Sequence, residues 1–502
     1  MGRQRPPRKF FRMSFLRHPT RLALATGLLL SATAHAQGKA PTLDANGLQQ
    51  LRQQIDELKR SYDSRIQALE AQLQQAQQQL TQQAAQQQST AAAVAAVTAA
   101  PNTAHAANAS TSDTAIAADS AGAASGGANR FNPAVSLILT GGYAGLSKSP
   151  DTWQLSGFLP NGGEIGPGKR GFSLGESELT LSANIDHLFY GAITLAVSGE
   201  DTISAEEAFV QTTALPAGLK LKAGRFYAGL GYLNEQHAHT WDFVDAPLAY
   251  QAFFGGQFKQ EGVQARWVLP LERYVELGLE LGNGHGFPGS ERDRNSAGAT
   301  LLTARTGGDI GFSHSWRAGA SWLQTRADGR EWTSTDPLDD STTYTNTFSG
   351  RSRIWALDGV WKWAPNGNGR VTNFKLQGEY FRRTESGQVA FDTANLNSID
   401  GYRSAQSGWY LQGVYQFMPQ WRVGLRHDRL DSGRNDFGAN ALNLVLPSYK
   451  PKRDTLMVDW SPSEYSRWRL QFSDDRARQG VADHQIFLQY QMSLGAHGAH
   501  SY

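Results

Sequence analysis

The sequence predicts an all-β protein: a transmembrane antiparallel β-barrel of about 16 strands, preceded by an α-helical coiled coil. Three observations carry this. From Phe131 onward, apolar and polar residues alternate in runs of about ten, the length a strand needs to cross a bilayer at a tilt. The segments between runs are short and long in turn. Aromatic residues and glycines each number 52, yet no apolar stretch of helix-spanning length follows the N-terminus. An open sheet would leave edge backbone groups unpaired in lipid, so such strands must close on themselves.

Residues 1–36 read as a secretory signal peptide. Seven Lys or Arg without an acid precede the apolar run Leu22 to Ala34, and Ala34-His35-Ala36 is a small-x-small cleavage site. Met13 is an alternative start. Residues 37–80 carry a heptad seam: Leu48, Leu51, Ile55, Leu58, Tyr62, Ile66, Leu69, Leu73, Ala76 and Leu80, with one stutter around Tyr62. A helix with one apolar stripe leaves it wet unless it self-associates, so this segment is expected to be a periplasmic coiled coil about 50 Å long. Residues 81–130, rich in Ala, Gln and Ser, read as a disordered linker. The barrel is expected over 131–502.

The strands follow in order. Val135, Leu137 and Leu139 form the first apolar face; a Gly/Pro-rich loop over 144–170 leads to Leu179, Leu181 and Ala183, opposed by Glu176, Glu178 and Thr180. Phe189 to Val197, Glu206 to Thr213 and Leu219 to Ala223 come next, the last opposed by Lys220 and Lys222. After a long insert, Val263, Ala265 and Trp267 alternate with Gln264 and Arg266, and Val275 to Leu281 alternate with Glu276 and Glu280. Thr300 to Phe312 is a weaker strand, followed by Trp316 to Trp322, a loop over 325–350, Trp355 to Trp361, Phe374 to Tyr380, a loop over 385–405, and Trp409 to Phe417. Trp421 to Leu425, Leu456 to Trp460, Trp468 to Phe472 and Ile486 to Leu494 complete sixteen strands with eight long loops and seven short turns. The terminal aromatic, Tyr502, is similar to an outer-membrane assembly signal.

With apolar faces toward lipid, the other face lines a polar lumen, and a polar interior at this strand number implies a water-filled channel. The formal charge of +2 comes from the signal; without it the chain holds 40 basic and 45 acidic residues, which gives no basis for nucleic-acid binding. The absence of Cys excludes disulfides, thiolate metal sites and a catalytic thiol. No nucleophile elbow, zinc-protease helix or P-loop is present, so an enzyme is not expected.

The long insert, 231–258, reads GYLNEQHAHTWDFVDAPLAYQAFFGGQF and is neither loop filler nor an alternating strand. A coiled-coil arm before sixteen strands resembles a group of Gram-negative outer-membrane porins. The stretches FSLGESELTLSANID, FVQTTALPAGLKLKAGRF and GYLNEQHAHTWDFVDAPL resemble proteobacterial outer-membrane proteins often labelled zinc-regulated TonB-dependent receptors. This chain has a heptad arm and a linker where such a receptor has an N-terminal plug. The porin resemblance implies a homotrimer in outer-membrane lipid, passing small polar or charged solutes or ions. It also implies that the third long loop folds inward and constricts the lumen. Glu235, His237, His239, Asp242 and Asp245 would then face a basic wall of Arg266, Arg317, Arg422, Arg426, Arg467 and Arg469. The receptor resemblance implies uptake of zinc or a metallophore, with His237, His239, Asp242 and Asp245 as metal ligands, a donor set that suits zinc. No resident cofactor is expected. A third reading is a structural tether between outer membrane and periplasm.

Overall fold

A computed structural model of the chain describes residues 133–495, apart from 163–164, 200–201, 337–338 and 340. The segments read as signal peptide, coiled coil and linker, together with Tyr502, lie outside the described residues. The described chain forms seventeen strands: β1 (Ala134–Leu146), β2 (Gly171–Leu174), β3 (Ser177–Asn184), β4 (Phe189–Val197), β5 (Ile203–Thr212), β6 (Leu219–Tyr227), β7 (Lys259–Val268), β8 (Tyr274–Gly282) and β9 (Ala299–Ile310). Then come β10 (His314–Thr335), β11 (Thr343–Trp363), β12 (Asn373–Phe391), β13 (Ser398–Met418), β14 (Trp421–Asp436), β15 (Lys452–Ser463), β16 (Ser466–Arg476) and β17 (Asp483–Gly495).

Every ladder is antiparallel between sequence neighbours, and β1 pairs with β17 from Ser136↔Gly495 to Leu146↔Gln485. The sheet therefore has no open edge, as spanning lipid requires. β2 and β3 both pair with β1, one through Gly141↔Leu174 and the other through Ile138↔Glu178, so they are one strand interrupted at 175–176. The wall thus contains sixteen spanning strands, the expected number.

Alternation sets which side chains meet which solvent. Val135, Leu219, Leu221, Val263, Trp267, Leu277, Leu279, Trp355, Leu357, Leu411, Leu425, Trp468 and Leu488 are exposed on the outside, an apolar belt with aromatic residues toward its margins. Their neighbours in sequence, among them Gln264, Glu280, Asp358, Glu379, Arg426 and Arg469, are buried on the inside. The seven connections at one end run from two residues (419–420) to nine (364–372); the longest, 228–258, lies at the other end.

Two expectations change. The segments 325–350 and 385–405, read as loops, are largely strand. β10 continues to Thr335 and β11 begins at Thr343, paired through Thr335↔Thr343 with a bulge between Ala327 and Arg330. β10 has 22 residues. At about 3.3 Å per residue such a strand is roughly 70 Å long, well beyond a hydrocarbon core of about 30 Å even when tilted. These extensions lack an apolar outer face because no lipid lies beside them, and that face was the signal sought. Their inner side holds a second apolar cluster, including Trp332, Phe348, Val389, Phe391, Tyr402 and Phe437.

The lumen is also less polar than expected. Leu301, Leu323, Ile354, Ala356, Phe381, Tyr410 and Leu430 occupy inward positions on β9 to β14 and belong to one buried apolar cluster. A core inside a membrane barrel needs something apolar to cover it, and the insert between β6 and β7 supplies it.

Candidate functional site

Residues 228–258 leave the wall after β6 and return at β7. Asn234 closes the base: its amide donates to the carbonyls of Ala228 (2.8 Å) and Phe258 (2.9 Å) and accepts from Phe258 N–H at 2.8 Å. Gly231 has φ +67°, and a Cβ there would overlap the Glu379 carboxylate, so both the turn and the close approach require glycine. Helix α1 (Leu248–Phe254) follows Pro247 and ends at Gly255 in the left-handed region, whose N–H donates to Tyr250 C=O. All seven helical residues are buried, which explains LAYQAFF without a polar stripe. Phe253 tilts against Phe381, and Tyr250 and Phe254 meet it edge-on, at 5.2 and 5.6 Å between centroids.

The inner wall grips this segment by backbone and side chain. Glu379 accepts the N–H groups of Tyr232 (3.1 Å) and Leu233 (3.0 Å) and the hydroxyls of Tyr250 (3.0 Å) and Tyr410 (2.6 Å). Asp428 accepts Leu248 N–H at 2.9 Å. Arginines satisfy the carbonyls of the irregular backbone: Arg305 to Gly229, Arg317 to Gly231, Arg467 to His239, Arg469 to Trp241, Arg426 to Asp245 and Arg453 to Ala246. A coil inside a barrel must find partners for such groups, because little water reaches them.

The charged residues of the insert separate into two ends. Glu235 pairs with Arg266 and with Arg305 at 2.7 Å. Asp242 lies 2.5 Å from Lys375 and 3.2 Å from Arg422, which also holds Asp459 at 2.5 Å. Asp245 lies 2.8 Å from Arg426 and 2.6 Å from Arg453. Burial opposes the charge of Asp242 and Asp245, but the adjacent bases outweigh it: Lys375 and Arg422 hold Asp242 far below the usual carboxylate range, and Arg453 and Arg426 lower Asp245 to about 2.

The histidines face the opposite wall. His237 Nδ1 is 3.0 Å from Glu178 and 3.2 Å from Glu206, and its Nε2 is 3.0 Å from Glu207. His239 Nδ1 is 2.8 Å from Glu178, and the two rings stack with centroids 5.7 Å apart. Both Glu206 and Glu207 reach the same ring because the register slips there: Thr194 pairs with Glu207 and Leu195 with Ala205, leaving Glu206 as the extra residue of a bulge. Burial disfavours a charged His237, but hydrogen bonds to Glu178, Glu206 and Glu207 prevail and raise its pKa well above the imidazole range.

All six expected wall arginines therefore touch the insert, and its acids Glu235, Asp242 and Asp245 each pair with bases of the wall. The four residues expected as one metal site do not assemble. Asp242 and Asp245 are taken by bases, while His237 and His239 meet glutamates. The donors that gather are Glu178, His237 and His239, and beside them Glu176, Glu178 and Glu206, each set with ligand atoms within 4.8 Å. The sequence reading missed Arg305, Arg453, Glu206, Glu207 and the anchor role of Glu379. Inward parity was the available signal for Arg453 and Glu379; the bulge that aims Glu206 and Glu207 together leaves no mark in periodicity.

A closed sheet with an apolar belt and an inward-folded loop defines a transmembrane β-barrel with an occupied lumen. The chain belongs to the same family as an uncharacterized protein of Aquifex aeolicus (strain VF5), 30% identical over 404 residues that span 74% of this chain and 80% of the relative. No protein-family model matches it. Similar solved structures include a loop-deletion mutant of OmpT, an outer membrane protein of Vibrio cholerae (TM-score 0.44, 10% identity, 72% of this chain and 99% of that one). An anion-selective porin from Comamonas acidovorans (0.43, 10%, 72% and 99%) and Pseudomonas putida OprB (0.42, 11%, 72% and 94%) are alike to the same degree. These likenesses are loose, and the fold description rests on the closed sheet itself.

Proposed function

We propose that the protein is an outer-membrane channel of a Gram-negative bacterium for small polar or charged solutes, constricted by residues 228–258, with its N-terminal arm in the periplasm. The observation that carries this is the charge arrangement across the lumen. Acids on β3 and β5 (Glu178, Glu206 and Glu207) face bases on β12 to β16 (Lys375, Arg422, Arg426, Arg453 and Arg469), with the loop suspended between them by ion pairs to both. Fixed opposed charges in a narrow wet passage orient polar solutes and set ion preference. Trimeric assembly belongs to the same proposal. Refolded full-length protein in planar bilayers should give discrete conductance steps, and Asp242→Asn with Asp245→Asn should change their size or ion preference. An absence of current from folded protein sinks the reading.

A second reading, uptake of a metal ion, is favoured by one observation: the grouping of Glu178, His237 and His239. Imidazole with carboxylate suits zinc. Zinc should then quench Trp241 fluorescence, and His237→Ala with His239→Ala should abolish the effect; unchanged quenching in that variant excludes this site.

A further inference from the structure

Outside the barrel, just beyond the apolar belt on the long-loop side, lies a collar of bases that neither the fold nor a channel requires. Arg326 on β10 is the second outward residue after Trp322, Arg351 on β11 the second after Trp355, and Arg382 on β12 the first after Tyr380. Arg429 on β14, Lys452 on β15 and Arg476 on β16 hold the same place, each two outward positions beyond Leu425, Leu456 and Phe472. All six are exposed or partly exposed. Several stand directly opposite one another: Arg326↔Arg351, Arg429↔Lys452 and Lys452↔Arg476 are register partners. Like charges at such positions destabilise a sheet. Among the described residues, only Arg476 of the six has a carboxylate within ion-pair distance, Asp474 at 3.0 Å.

Three in-register cations on adjacent strands span about 10 Å, since strands lie about 4.8 Å apart. A counter-anion that settled them would carry more than one negative group and would sit at the depth of lipid headgroups. Below them runs an outward groove of about 730 Å³ whose upper part carries His427, Asp454, Asp474 and His484 and whose lower part is lined by Leu411, Leu425, Leu456 and Phe472, where an acyl chain would lie. Above them, β10 to β13 continue with a polar outer face, which suits a sugar layer better than hydrocarbon.

We propose that this collar binds the phosphates of a bis-phosphorylated glycolipid of the lipid A type in the leaflet on the long-loop side. Arginine forks match phosphate oxygens bidentately, and each anion held between two rungs removes their mutual repulsion. The site rests on the barrel's spanning a membrane and not on its conducting.

The test is native mass spectrometry of the full-length protein in detergent with added bis-phosphorylated lipid A. Bound lipid is expected to survive on the wild type. It should fall at least tenfold for monophosphoryl lipid A, for phosphatidylglycerol and for the variant Arg429→Gln, Lys452→Gln, Arg476→Gln; Arg326→Gln with Arg351→Gln and Arg382→Gln is a second, independent variant. Heat-modifiable gel mobility establishes that each variant is folded. Equal retention of the other lipids, or undiminished binding by both folded variants, overturns the proposal. So does a change of oligomeric state with lipid binding intact, which would make the collar an interface between copies. Conductance of the same samples is read separately, so a failed channel reading and a failed lipid site are distinguishable.

Discussion

His237 is the residue on which the attachment of the inward loop depends most on pH. Its pKa is raised in the folded state, so its contribution is complete below the ordinary value of about 6.5 and is lost as pH rises through the raised folded value. Asp245 behaves in the opposite sense. Lowered to about 2, it contributes fully above the ordinary value of about 3.9 and is lost as pH falls toward 2. Between these limits both ends of the loop are held. Above the raised histidine pKa, Glu178, Glu206 and Glu207 remain charged around a neutral ring and repel one another. Current noise should therefore rise with pH on the alkaline side, and His237→Gln should bring the noise down to neutral pH. Identical pH profiles for the two proteins contradict this assignment. Glu379 works by hydrogen-bond geometry instead: one carboxylate fixes two consecutive backbone N–H groups and two tyrosine hydroxyls.

At the scale of the element, α1 is a seven-residue helix that would not persist alone in water, since isolated helices need about 12–15 residues. Its stability is tertiary, supplied by Phe381, Tyr410 and Leu430 of the wall and by Phe158 of the β1–β2 connection, whose ring lies 6.0 Å from Phe253. Phe253→Ala should cost about 3–5 kcal/mol, as for other buried aromatic truncations. The cost is read from urea unfolding in lipid vesicles and should appear with enlarged, noisier conductance steps. A variant as stable as wild type with unchanged steps would show that α1 does not hold the loop. The β5 bulge is a smaller element with a similar lesson: it brings together Glu206 and Glu207, which a straight strand would place on opposite faces.

At the scale of the molecule, the number and order of strands were legible in the sequence because a membrane barrel has one apolar face everywhere it meets lipid. Period-two alternation at Val263, Ala265 and Trp267, or at Trp468, Leu470 and Phe472, is imposed by the hydrocarbon and reports on it directly. The same logic failed where lipid stops. β10 to β13 continue as strands outside the belt, held by pairing and by inward residues such as Phe348 and Tyr402, and no outward apolar face marks them. The inward loop was recognisable as unusual from its histidines, acids and aromatics, and its six arginine partners from parity. Which charge meets which base depends on how the segment crosses the lumen, and local spacing carries no information about that.

The sequence by itself thus determined the alternating wall, its sixteen spanning strands, the sidedness of its side chains and the segment that departs from the pattern. All of these follow from contact with a uniform solvent, lipid on one face. Only the tertiary structure decided that His237 and His239 part from Asp242 and Asp245, that Glu379 and Asp428 hold the loop backbone, that part of the lumen is apolar, and that bases of different strands align as a collar. Those outcomes depend on register and closure, which bring together residues as distant in sequence as Asp245 and Arg453.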